Sequence, residues 1–159
     1  LSVQDQLRSL YTVDRQLQAL RSRVDAAARR LAATQTRLDQ HERQQDELSE
    51  QLKTAQARVA TQENEAATVE ARVEKLRETM STVRSNKEYS ALLVEVNVQK
   101  AEKSKYEEAA LNEMTEVEEL QSRLKVLSTK TDEQRKLVEL AQSEVTEGES
   151  QISDQLNEL

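Results

Sequence analysis

From Leu10 to Val83 the chain places a core-type residue at alternating steps of three and four without interruption, and this pattern decides most of what it can fold into. The series reads Leu10, Val13, Leu17, Leu20, Val24, Ala27, Leu31, Thr34, Leu38, His41, Gln45, Leu48, Leu52, Ala55, Val59, Gln62, Ala66, Val69, Val73, Leu76, Met80 and Val83. Only Thr34, His41, Gln45 and Gln62 are polar, too few for chance spacing. A mean step of 3.5 residues keeps one stripe against a partner helix when the pair supercoils left-handedly. At about 1.5 Å per residue, the stretch would run roughly 110 Å.

The pattern breaks at Ser85-Asn86-Lys87-Glu88, close to the middle of the 159 residues. Ser85 and Glu88 have capping-box spacing, in which hydroxyl and carboxylate satisfy the orphan amides of a new helix. A second series follows: Leu92, Val96, Gln99, Lys103, Tyr106, Ala110, Met114, Val117, Leu120, Leu124, Leu127, Thr131, Gln134, Val138, Ala141, Val145, Gly148, Ile152 and Leu159. It is weaker from Gln99 to Ala110 and slips by one residue at Met114, where fraying or a shifted register is expected. The expected fold is therefore all-α, a long antiparallel two-helix coiled-coil hairpin. It forms one domain over 1–159, with helix 1 about 3–84, the turn about 85–87 and helix 2 about 88–158. Folding about residue 86 sets Tyr106 opposite Ala66, and brings His41 and Gln45 near Thr131 and Leu127. It also lays the eight arginines and five acids of 1–43 beside the two bases and seven acids of 133–159. One continuous helix dimerising in parallel would instead set like charges side by side and leave the central break unexplained.

Composition excludes the alternatives to long helices. There is no Pro, Cys, Trp or Phe and a single glycine, Gly148, so the residues that build turns in a compact fold are missing. A charged fraction of 33% with 2% aromatic residues also suits a disordered chain, but disorder gives no reason for regular apolar spacing. Without cysteine, and with one histidine, neither a disulfide framework nor a zinc site within this chain is expected, and no cofactor. No apolar run approaches the roughly 18 residues of a membrane span, and the start lacks the basic and apolar regions of a signal peptide. A cytoplasmic setting is expected. The first residue is not Met, consistent with a trimmed fragment.

The polar seam residues have two readings. His41 could act as a pH switch; the plainer reading is a polar residue that fixes register, as for Gln45, Gln62 and Thr34. Gly148 either lets the helices approach closely or marks a kink or frayed end near 147–150. The many carboxylates form no convergent pair, and a two-helix pair is too thin for a substrate cleft, so no catalysis is expected. Arg21, Arg23, Arg29, Arg30 and Arg37 make a local basic patch, but the net charge is −7, and nucleic acid is not the expected partner of this chain.

The turn segment differs from the rest. Leu92, Leu93, Val94, Val96 and Val98 are more apolar residues than one stripe can bury, which points to a partner-docking surface at the hairpin tip. The expected contacts are Arg84, Ser85, Asn86, Lys87, Glu88, Tyr89, Leu92, Leu93 and Val96. The alternative is that Tyr89 and Leu92 simply close the end of the core.

Ser85-Asn86-Lys87-Glu88-Tyr89-Ser90-Ala91-Leu92, followed by Glu95, Lys100, Glu107, Glu108 and Met114, resembles the bacterial zinc-ribbon proteins with an N-terminal coiled-coil hairpin. In that family a variant of (N/T)-x-(R/K)-E-Y-x-A-L-x-x-E follows the turn. The resemblance rests on about a dozen residues. It implies a non-catalytic adaptor with a protein partner, such as the enhancer-dependent alternative sigma factor or secretion and flagellar components. The four-cysteine ribbon of the family is absent here, so zinc is expected only in a ribbon beyond Leu159. The other functional expectations are an RNA-binding accessory protein and a helical arm of a larger enzyme. The oligomeric expectation is a monomeric hairpin or a weak homodimer.

Overall fold

The computed structural model of the chain describes residues 2–158. It is all-α: helix α1 spans Val3–Thr82 and helix α2 spans Asn86–Asn157. Chain direction reverses between them, and the helices pack against each other as a hairpin. Residue numbers rise along α1 as they fall along α2: Val24 meets Gly148, Arg30 meets Glu144, Glu42 meets Arg135, Arg58 meets Glu116 and Glu70 meets Lys103. These pairs follow the expected fold-back about residue 86.

The chain divides into two compact units. One is Asp46–Lys125 and contains the turn. Its core is Leu48, Ala55, Ala66, Val69, Val73, Val96, Ala110 and Leu120, with Val73 completely buried. The other, within the described residues, is 2–45 with 126–158, and its core is Leu17, Ala27, Leu38, Thr131, Gln134, Ala141 and Val145.

Burial follows the heptads. Every position of the first series from Val13 to Val83 is buried or half-buried, and Leu10 alone of that series is exposed. On α2 every expected position from Leu92 to Ile152 is buried or half-buried, while Leu159 lies outside the described residues. A straight α-helix turns a seven-residue stripe by about 20° per heptad, so a stripe buried over several heptads in each unit fits left-handed coiling.

Three details depart from the sequence expectations. The turn is 83–85, not 85–87. Ser85 is itself the cap: its hydroxyl accepts the Glu88 amide at 3.3 Å, and its carbonyl accepts the Tyr89 amide at 3.0 Å. A capping serine sits just before its helix, so α2 starts at Asn86 rather than 88. On the other side, α1 stops at Thr82 rather than 84, where the Thr82 hydroxyl donates back to the Thr79 carbonyl at 2.8 Å. The start of α1 carries a cap of the same kind, which the spacing Ser2-x-x-Asp5 signals and the expected helix bounds do not use. There the Asp5 amide donates to the Ser2 hydroxyl at 3.2 Å.

The slip at Met114 is also corrected. Ala110 and Val117 are one heptad apart, and the position between them that continues the stripe is Glu113. Glu113 and Met114 are both half-buried, and the Glu113 Oε2 is buried without a hydrogen-bond partner. The helix runs through without a break. Met114 is its apolar neighbour, so a stripe traced by apolar character alone shows an apparent shift there. In the same way Gln155, half-buried with its Oε1 unpartnered, continues the stripe beyond Ile152.

Gly148 resolves toward close approach. It lies inside α2 with no left-handed backbone, and a Cβ built there would stand 2.6 Å from the Val24 Cγ2. The helix does not end at 147–150.

Candidate functional site

The tip lies within the unit Asp46–Lys125, and its shape begins with the Ser85 cap. Because α2 is helical from Asn86 onward, the side chains after the turn are distributed by helical geometry rather than along a loop. Arg84, Ser85, Asn86, Lys87 and Glu88 are all exposed. Tyr89 falls one heptad before Val96 and so prolongs the seam, but at its end the ring remains 47% exposed. Leu92 is half-buried, and Leu93 is 43% exposed.

Val96 does not belong to this surface. It is 4% exposed and part of the core between the helices, so the expectation that it contacts a partner is corrected. It occupies the central seam position, where the neighbouring helix covers it. Val94 and Val98 are the apolar residues that face outward, 63% and 54% exposed. Both belong to the apolar excess of the turn segment, and the expected contact set does not include them. Their heptad positions, on the side of α2 opposite Leu92 and Val96, are the signal that assigns them. Tyr89, Leu93, Val94 and Val98 thus form the exposed apolar set of the tip, and Ala91 and Ala101 are exposed beside them. An open groove of about 540 Å³ continues from Val98 over Ala101, Glu102, Lys105 and Tyr106.

The stretch after Val96, weak in apolar content, is held by polar contacts. Lys103 occupies a seam position, and its ammonium reaches Glu70 on α1 at 2.7 Å and Glu107 at 3.4 Å. Its stem lies over the seam while the charge reaches the edge, the usual behaviour of a long cationic side chain on an apolar surface. The hydrogen bond from Lys103 holds the Glu70 carboxyl below its usual 4.5. The same bond raises the Lys103 ammonium above its usual 10.5. Gln99 donates to the Glu95 carboxylate at 3.0 Å. These contacts brace the helix beneath the apolar set.

The other candidates lie in the unit that holds the helix ends. His41 is half-buried with a buried Nδ1 that has no hydrogen-bond partner; Thr34 and Gln45 are half-buried seam residues, as is Gln62 in the unit with the turn. Gln134, 6% exposed, donates across the seam to the Thr34 carbonyl at 3.0 Å, and the neighbouring Thr131 is completely buried. Thr34, Thr131 and Gln134 give the seam of this unit a polar level that favours one pairing of the helices. Arg21, Arg23, Arg29, Arg30 and Arg37 are exposed, and Arg30 pairs with Glu144 at 3.4 Å.

Among the described residues no group of three or more His, Asp or Glu side chains is placed to hold a metal ion. Among the same residues no helix is long and apolar enough to cross a membrane. Comparison with protein-family models, with curated proteins and with solved structures gives no match.

Proposed function

We propose that this chain is a non-catalytic adaptor that docks a protein partner at the hairpin tip. The observation that carries the reading is the exposure of Tyr89, Leu93, Val94 and Val98 on a rigid, capped stretch of helix. Isolated apolar residues on a surface need no explanation, but four exposed within ten residues and flanked by charge point to an interaction surface. The braced helix beneath them reduces the ordering cost of binding. A net charge of −7 opposes a phosphate-rich partner and favours protein over nucleic acid. The resemblance of residues 85–92 to the zinc-ribbon hairpin proteins suggests a bacterial cytoplasmic setting. It also suggests a partner from transcription, flagellar assembly or secretion, such as the enhancer-dependent sigma factor, and zinc only in a ribbon outside these residues.

The test is a pull-down from the source cell with the wild-type chain and with a Tyr89→Ala/Leu93→Ser variant. Both positions are exposed, so the variant keeps its helicity. Loss of the same partners from the variant supports docking at the tip, and unchanged recovery overturns it.

A further inference from the structure

We infer that the outward face of α2 beside the turn binds an amphipathic helix whose apolar stripe is edged by arginine or lysine. The inference rests on the adaptor reading and specifies its partner. Ala91, Val94, Val98 and Ala101 follow one another at steps of three, four and three, the spacing of a coiled-coil stripe. All four are exposed, on the side of α2 turned away from α1. Here α2 carries a second, shorter stripe beyond the one that packs the hairpin. It extends over about 15 Å, two to three helical turns. Lys87 and Lys105 occupy the next positions of the same series and end the stripe with charge.

Charge selects the occupant. Along one edge of the stripe run Glu88, Glu95 and Glu102, each one heptad from the next. Ser90, Asn97 and Ser104 line the other edge. A helix lying on this face sets its own edge residues against the glutamates, so cations there are favoured and anions opposed. A second copy fits poorly. Antiparallel packing places each edge against the same edge of its partner, bringing three glutamates against three. Parallel packing sets them against uncharged Ser and Asn. A partner with a basic edge satisfies both the apolar stripe and the acidic row, in the helix-on-groove mode of recognition.

The experiment titrates the full chain with three synthetic 18-residue peptides, followed by fluorescence anisotropy and by amide shifts of α2. The first carries leucines at heptad spacing with arginine along one edge; the second replaces those arginines with glutamate; the third keeps the arginines and replaces the leucines with serine. Only the first is expected to bind. Its affinity should fall about tenfold in a Val94→Ser/Val98→Ser variant. A similar fall is expected in Glu88→Gln/Glu95→Gln/Glu102→Gln, together with a flatter dependence on salt between about 50 and 500 mM. Equal binding of the glutamate peptide overturns the charge selection. Equal binding of the serine peptide reduces the effect to non-specific attraction. No binding by any peptide overturns the inference, while the pull-down with the Tyr89→Ala/Leu93→Ser variant still decides independently whether the tip docks a protein.

Discussion

Replacing Gly148 with alanine isolates the closest approach of the two helices, because two opposing effects of known size meet at one methyl group. In an exposed helix interior Gly→Ala stabilises by about 1 kcal/mol, since alanine gives up less backbone freedom. Here the new Cβ would lie 2.6 Å from the Val24 Cγ2, against about 3.5–4.0 Å for comfortable carbon contact. Val24 cannot simply turn aside. A β-branched side chain in a helix is held in one rotamer, and leaving it costs about 0.5–1.5 kcal/mol. Otherwise the helices must part locally, and overpacking of this kind costs about 1–3 kcal/mol. The net expectation for Gly148→Ala is a loss between roughly zero and 2 kcal/mol. In a Val24→Ala background the obstructing methyl is gone, and the remaining Val24 Cβ distance, 3.8 Å, is ordinary contact. There Gly148→Ala should stabilise by about 1 kcal/mol. Urea unfolding of the four proteins, followed by circular dichroism at 222 nm, gives the coupling energy directly. A coupling of about 1–3 kcal/mol is expected. If Gly148→Ala raises stability by the same amount with and without the Val24 methyls, the close approach is refuted.

The remaining predictions concern the turn, the seam and its ion pair. Ser85→Ala removes the cap of α2 and should cost about 0.5–2 kcal/mol, whereas Ser85→Asp should preserve most of it; thermal melts of both variants check this. Glu113→Leu should stabilise by about 1 kcal/mol or more, by exchanging a buried, unpartnered carboxylate oxygen for an apolar seam residue; a lower urea midpoint would return the slip to Met114. For the Glu70–Lys103 pair, stability is compared with Glu70→Gln and Lys103→Met across pH. Because the Glu70 value is depressed below 4.5, its contribution is present above that pH and fades as acid takes it through the lower folded value. Because the Lys103 value is raised above 10.5, its contribution is complete below that pH and fades as base takes it through the higher folded value. A difference between wild type and variants that stays level through both limits would show that the pair adds nothing to stability.

Much of this architecture was legible in one dimension because a coiled seam is a local code. Each seam position depends on neighbours three and four residues away, so counting places the first stripe from Val13 to Val83 and locates the reversal. At Glu113 the apolar neighbour Met114 competes for the seam position, and Gln155 is missing from the expected series although it continues the spacing. The capping pair Ser85 and Glu88 already implies a helix from Asn86 rather than 88, and the hydrogen bond from the Glu88 amide to the Ser85 hydroxyl shows that start.

What the sequence determined by itself is the pair of helices, their direction and nearly all of the residues between them, since heptad spacing dictates which side of each helix is dry. Tertiary structure decided what spacing cannot carry. It left Tyr89, which continues the seam by spacing, 47% exposed, because the seam ends at the turn. It paired Lys103 with Glu70, which is possible only once α1 lies alongside. And it made Gly148 a point of contact rather than a weakness, because only the approach of Val24 leaves no room for a side chain there.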